Sequence, residues 1–164
     1  MSDWHAFADR ETLDQALAAY VAYRLQQGIA ARKAAHLVVS GGSTPIQLFS
    51  ILADADIEWG RVVVLLADER WVPVDHEDSN ERLVRETLLT GKAKSAQFLS
   101  LLPTPHDETT NISDLSTLLR SLPRFDVVLL GMGEDAHTAS LFPCSTALRA
   151  VSYTHLTLPT NACV

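Results

Sequence analysis

A run of six apolar residues, from Val62 to Ala67, limits the fold of this chain more than any other segment. The run is β-branched at its start and too short for a buried helix, so it predicts a strand. Apolar side chains occupy both of its alternating faces, which is typical of a central strand in a parallel sheet. Because parallel strands are joined by helical crossovers, the flanking segments are expected to alternate between helix and strand.

The flanking segments have that alternation. Further strands are predicted by three apolar runs: His36 to Ser40, Phe98 to Leu102 and Phe125 to Leu130. Helices are predicted where apolar residues recur at helical spacing: one with a capping box at Thr12 and Gln15, one with Thr44 as N-cap, one with Ser79 or Asn80 as N-cap, and one from Ile112 to Leu122. The pattern predicts an α/β fold with a doubly wound, mainly parallel sheet and helices on both faces, of the Rossmann type.

These elements are predicted to form one domain over residues 1–150. The segment from Val151 to Val164 differs in composition, since it has no acidic or basic side chain except that of His155. This segment is either a terminal strand with a tail or a non-native tail. We expect the second, with the α/β fold incomplete at its C-terminal end.

Charge and cysteine content narrow the class of protein. The formal net charge of -7 argues against nucleic-acid and membrane-surface binding, because phosphate backbones and anionic lipids would repel the chain. The two cysteines, Cys144 and Cys163, form neither a disulfide framework nor a zinc motif. With no secretory signal evident at the N-terminus, these features predict a cytoplasmic protein. An anionic small substrate is compatible with the net charge if its site is locally positive or lined with backbone N–H groups.

Three polar loops are predicted to share one edge of the sheet, because each follows a strand and parallel strands point the same way. The first is the glycine loop, residues 40–45, which reads Ser-Gly-Gly-Ser-Thr-Pro. Gly41 and Gly42 let the backbone approach a ligand closely, and the following helix presents free N–H groups. Ser43 and Thr44 add hydroxyls. The loop therefore predicts a phosphate site, although a plain strand–turn–helix connection uses the same residue types.

The second loop begins with Asp68, Glu69 and Arg70, directly after the apolar run. Three charged side chains at the end of a buried strand cost folding free energy unless they are solvated, paired with opposite charges or in contact with a ligand. Arg70 offers a planar fork suited to phosphate, and Asp68 is a candidate base or partner for a substrate hydroxyl. The alternative is a structural ion pair between these two residues.

The third loop, residues 131–143, carries His137 in a glycine-rich setting after a strand. Imidazole titrates near neutral pH, so His137 is the candidate general base, with Asp135 or Glu134 expected to orient it. The loop also matches the dinucleotide pattern G-x-G-x-x-A. Pro143 interrupts the helix that such a site needs, and no acidic residue follows Asp135, so nicotinamide binding is not expected.

The sequence lacks the motifs of serine hydrolases of the α/β type and of metal sites. No Gly-x-Ser-x-Gly elbow occurs, and no set of His, Cys or carboxylate residues has metal-ligand spacing. We therefore expect catalysis without a metal or a cofactor.

The sequence resembles the 6-phosphogluconolactonase family, within the broader sugar-phosphate isomerase and lactonase superfamily. The matching segments are residues 40–45, 68–73, 78–80 and 131–143. The resemblance implies a phosphate pocket at Gly41 to Thr44 with Arg70 nearby. It also implies that His137, assisted by Asp135, activates water against the lactone of 6-phosphogluconate. Ala136 and Cys144 stand where the family usually has glycine.

Two alternatives remain open from the sequence. Glucosamine-6-phosphate deaminases share the phosphate loop and the acid–histidine pattern, but they typically carry Asn-Glu-Pro where this chain has residues 140–143, Ser-Leu-Phe-Pro. A catalytically silent sugar-phosphate sensor would need the binding residues alone.

Overall fold

The computed structural model describes residues 3–70, 72–102, 116–117, 119–122, 124–133 and 137–139. Its elements in chain order are α1 (Arg10–Arg32), β1 (Ala35–Val39), α2 (Ile46–Ala53), β2 (Val62–Leu66), α3 (Asn80–Thr87), β3 (Gln97–Leu99) and β4 (Val127–Leu129). Short 3-10 turns at Trp59–Arg61 and Gly91–Ser95 precede β2 and β3. Residues 116–117 and 119–121 are helical, within the helix predicted before Pro123.

The strands form one parallel sheet in the order β3-β2-β1-β4. The chain runs outward from β1 to β2 and β3, and then crosses back to place β4 on the other side of β1. The predicted α/β class with a parallel sheet is therefore confirmed. In such a sheet the point of reversal, here between β1 and β4, opens a crevice at the carboxyl ends of the strands.

The central strands are buried on both faces, as the apolar run at Val62 predicted. β1 pairs with β2 from Ala35 opposite Val62 to Val39 opposite Leu66. On one face, Leu37 and Val64 are fully buried against the helices. On the other face, Val38 and Leu65 are only 6% and 1% exposed.

The core lies between the sheet and a layer made by α1, α2 and α3. Its helical contributors include Val21 and Leu25 of α1, Phe49 of α2 and Val84 of α3, all fully buried. Burying each such side chain contributes about 1.5–3 kcal/mol. This packing holds the helices to the sheet and so fixes the positions of the loops between them.

Two predicted helix starts were wrong. Helix α1 begins at Arg10, because Asp9 and not Thr12 is its N-cap: the Asp9 carboxylate accepts the Thr12 N–H at 2.8 Å. That bond lowers the pKa of Asp9, and a carboxylate at this end also interacts favourably with the helix dipole. Helix α2 has Pro45 as N-cap, not Thr44, and makes no side-chain capping bond.

The start of α3 is as predicted, with Ser79 as N-cap accepting the Arg82 N–H at 3.2 Å. Among the helices of the described residues, none is both long and apolar enough to cross a membrane.

Candidate functional site

A cavity of about 440 Å³ opens where the strand order reverses. Its walls come from the loops after β1, β2 and β4 and from the first turns of α1. The expected shared edge therefore exists, and it lies at the position where parallel α/β sheets bind their ligands.

Most of the predicted site residues line this one cavity: Gly41, Gly42, Ser43, Thr44, Asp68, Arg70 and His137. Asp135 and its alternative Glu134 lie outside the described residues, as do Ala136, Cys144 and the segment 151–164. The structure thus brings the three loops together, while the chemical role of each residue remains a prediction.

The two glycines of the glycine loop are needed for different reasons. Gly42 has φ of +87°, a conformation that side chains with a Cβ adopt at a cost, and a Cβ there would meet no atom within 4 Å. At Gly41 a Cβ would lie 1.8 Å from the side-chain oxygen of Asn80. The first position needs backbone freedom, and the second needs empty space.

The glycine loop leads into α2 through a turn at Thr44 and Pro45. Helical bonding begins where the Phe49 N–H donates to the Pro45 carbonyl at 2.8 Å. The first N–H groups of α2 therefore have no acceptor within the helix, and their dipole end favours an anion. The predicted anion site keeps its physical basis although Thr44 is not the cap.

The sequence reasoning missed two charged residues of the cavity wall, Arg10 and Asp14. The Arg10 guanidinium donates to the Thr44 carbonyl, and its Nε lies 3.5 Å from the Asp14 carboxylate, whose side chain is 6% exposed. Arg10 thereby ties the start of α1 to the glycine loop. Their i,i+4 spacing was a usable signal, but the predicted helix start at Thr12 left Arg10 outside the helix.

In the loop after β2, alternate side chains serve different purposes. Asp68 and Arg70 line the cavity, whereas Glu69 turns to the N-terminus of α3. Its carboxylate accepts the N–H groups of Asn80 and Glu81, each at 2.7 Å. Glu69 is therefore occupied by the fold and leaves its two neighbours to face the cavity.

After β4, two hydrogen bonds join residues 131–133 to residues 137–138, and His137 lies in the cavity wall. The Gly133 N–H donates to the His137 carbonyl at 2.8 Å, and the Thr138 hydroxyl donates to the Gly131 carbonyl at 2.8 Å. These bonds hold His137 and Thr138 beside the residues that directly follow β4. Within the ranges that the structure describes, no cluster of three or more His, Cys, Asp or Glu residues could hold a metal ion.

The charges of the described cavity wall balance, with Arg10 and Arg70 against Asp14 and Asp68. A general excess of positive charge is therefore not what would attract an anion. The groups of the wall that are suited to an anion are local ones: the backbone N–H groups of the glycine loop and of the start of α2, and the two guanidinium groups.

A parallel α/β sheet with a glycine loop, an arginine and a histidine around its crevice defines the class: an α/β protein with a polar-lined cavity at the reversal of strand order. The chain belongs to the glucosamine-6-phosphate isomerases/6-phosphogluconolactonase family, whose model matches residues 8–162.

Several relatives in this family are named 6-phosphogluconolactonase. The chain is 46% identical to a 6-phosphogluconolactonase of Pseudomonas putida and 47% identical to one of Mesorhizobium japonicum, covering 89% and 86% of this chain and 60% of each relative. A crystal structure of a 6-phosphogluconolactonase from Shewanella baltica superposes with a TM-score of 0.80 at 48% identity, covering 87% of this chain and 61% of that one. The chain therefore spans about 60% of the length of the relatives that it matches.

Proposed function

We propose that this chain carries the phosphate-binding and proton-transfer part of a 6-phosphogluconolactonase, which hydrolyses 6-phospho-D-glucono-1,5-lactone to 6-phospho-D-gluconate in the oxidative pentose phosphate pathway. The observation that supports this most is the single cavity shared by the glycine loop, Arg70 and His137. The proposed substrate follows from the name that these relatives carry, 6-phosphogluconolactonase. We further propose that the reaction takes place in the cytoplasm.

The phosphate group is the handle of the substrate. It binds to the N–H groups of Gly41 to Thr44 and of the start of α2, with the Arg70 guanidinium on its oxygens. Because the phosphate is held at this remote end, the sugar ring is oriented within the cavity. The binding energy of the phosphate thereby helps to position the carbonyl group that reacts.

His137 is the proposed general base. Neutral imidazole removes a proton from a water molecule as the water oxygen bonds to the lactone carbonyl carbon. The resulting oxyanion is stabilised by N–H or guanidinium donors, and the bond from the carbonyl carbon to the ring oxygen then breaks. The imidazolium returns its proton to the departing ring oxygen. A positioned base of this kind contributes about 10²–10⁴ in rate.

Asp135 and Asp68 complete the proposal. Asp135 orients His137, and Asp68 contacts a substrate hydroxyl from the opposite loop. No metal and no cofactor enters the mechanism, because a lactone is already an activated ester and needs only water, a base and oxyanion donors.

Deamination of glucosamine 6-phosphate is the alternative within the family. The segment 140–143 reads Ser-Leu-Phe-Pro rather than Asn-Glu-Pro, and Arg70 follows Asp68-Glu69 where the deaminases have an aromatic residue. Both features favour the lactonase.

The test is a His137→Gln variant of this chain, assayed for lactone hydrolysis above the spontaneous rate. We expect kcat to fall at least about 100-fold, with KM changed less than about threefold, because the base is lost and the phosphate handle remains. His76→Gln is the matched control, since His76 is exposed on the loop before α3. Turnover of glucosamine 6-phosphate but not of the lactone by the unsubstituted chain would point to the deaminase, and equal turnover in the His137 variant would remove His137 from the mechanism.

A further inference from the structure

Two polar side chains that the proposed mechanism does not use, Glu69 and Asn80, join the loop after β2 to the glycine loop. The Glu69 carboxylate accepts the backbone N–H groups of Asn80, Glu81 and Arg70, each at 2.7 Å. It also accepts the Ser79 hydroxyl at 3.2 Å. One carboxylate thus binds the N-terminus of α3 and the backbone of Arg70 at once.

Asn80 makes the second half of the connection. Its side-chain amide donates to the Asp68 carbonyl at 3.0 Å. Its side-chain oxygen occupies the space that a Cβ at Gly41 would need, 1.8 Å from the ideal Cβ position. Asn80 is 5% exposed, so this side chain is enclosed between the two loops and cannot easily move aside.

The hydrogen bonds accepted by the Glu69 carboxylate are stronger than hydrogen bonds between neutral groups. Hydrogen bonds from helix-terminal N–H groups to a carboxylate are charge-assisted, and the helix dipole adds to them. Helix α3 is anchored in turn by fully buried Val84. The loop after β2 is therefore attached to a rigid element that is not among the lining residues of the cavity, while Asp68 and Arg70 line it.

We propose that Glu69 and Asn80 are positioning residues that set the distance between Arg70 and the glycine loop, and thereby the affinity of the cavity for a phosphate group. Glu69 holds the backbone of Arg70 through a hydrogen bond. Asn80 holds the backbone of Asp68 in the same way, and its side chain limits how closely Gly41 can come to α3. Neither side chain touches the ligand. The identity of the ligand as a sugar phosphate rests on the proposed function.

The first test is Glu69→Gln, which keeps the shape and removes the charge. One oxygen acceptor becomes an NH₂ donor that faces backbone donors, so the bonds accepted by that oxygen are lost and the attachment of the loop to α3 is weakened. We expect the Kd for 6-phosphogluconate and for inorganic phosphate, measured by titration calorimetry, to rise about tenfold. KM for the lactone should rise in parallel, while kcat changes less than about threefold.

Glu86→Gln is the matched control, because Glu86 lies on the same helix and makes only an exposed ion pair with Arg82. It should leave Kd, KM and kcat unchanged. Asn80→Asp is a second variant that keeps the side-chain shape but replaces the amide donor, and it carries the same expected rise in Kd if Glu69→Gln does not fold.

A double-mutant cycle tests the contact with Gly41 directly. Gly41→Ala alone should weaken phosphate binding, because the new Cβ collides with Asn80. In the double variant Gly41→Ala/Asn80→Ala the collisions with the Asn80 amide group are removed and only the Cβ of residue 80 remains close, at 2.9 Å, so the combined loss should be smaller than the sum of the single losses. Purely additive losses of phosphate-binding free energy would overturn the proposed contact between Gly41 and Asn80.

The outcomes separate this inference from the proposed function. A chain that hydrolyses the lactone, but whose Glu69→Gln and Asn80→Asp variants bind phosphate as tightly as the unsubstituted chain, overturns the positioning role and leaves the function standing. A chain that does not hydrolyse the lactone, but binds phosphate with the expected losses in the variants, overturns the function and leaves the positioning role standing.

Discussion

The positive φ of Gly42 leads to a quantitative prediction for Gly42→Ala. A Cβ at φ of +87° meets no atom within 4 Å, so no collision contributes and the change isolates backbone strain. Left-handed backbone costs a residue with a Cβ roughly 1–2 kcal/mol. Alanine also reduces the conformational freedom of the unfolded chain, which offsets roughly 0.4–1 kcal/mol. The net loss of unfolding free energy is expected to be about 1 kcal/mol.

This loss can be observed in two measurements. If the loop keeps its conformation, Tm falls by about 2–4 °C, the shift expected per kcal/mol for a chain of this size. If the loop relaxes instead, the conformation that binds phosphate is populated less, and KM for the lactone rises by up to about fivefold. Calorimetry and steady-state kinetics on one preparation distinguish the two results.

Gly60→Ala is the control for this prediction. A Cβ at Gly60 also meets no atom within 4 Å, but Gly60 does not have positive φ. The same substitution should therefore leave Tm unchanged or raise it slightly. If Gly42→Ala and Gly60→Ala shift Tm equally and neither changes KM, the strain argument is refuted.

Three further predictions concern the loops and the sheet. Arg70→Ala should raise KM and make it less sensitive to salt, since a screened charge–phosphate contact is lost; an unchanged KM would indicate a structural ion pair instead. Ser79→Ala removes the N-cap of α3 and should cost about 1 kcal/mol, measured as a lower Tm. Burial lowers the pKa of His36 below its ordinary 6.5, against the opposing charge of Asp126. Because the unfolded chain then binds the proton more readily, the unfolding free energy should fall as pH drops below about 6.5, and a His36→Gln variant should show a weaker fall in Tm between pH 7.5 and 5.5.

Strands were easier to predict than helix starts, for a physical reason. The run at Val62 is apolar on both faces, and any compact fold has to bury it, so its prediction did not depend on its neighbours. A helix start depends on small differences between competing caps. Asp9 and Thr12 both suit an N-cap, and the carboxylate three residues earlier prevailed. At Thr44 the turn that follows Gly42 delayed the helix by one residue.

The residues of the site likewise divide into those that local sequence predicts and those that only the fold reveals. His137, Arg70 and the glycine loop were found from residue types after strands, because the direction of parallel strands puts such loops on one edge. Glu69 was visible in the sequence only as a third charge. Its carboxylate is bonded to the N-terminus of α3, which lies eleven residues further along the chain.

Taken alone, the sequence determined the alternation of strands and helices, the edge on which the polar loops lie and the chemical groups available there, because these follow from local periodicity and residue type. Tertiary structure decided the strand order β3-β2-β1-β4, the entry of Arg10 and Asp14 into the cavity wall and the contact of Asn80 with Gly41. Those features join segments distant along the chain, and they depend on packing energies that no local pattern records.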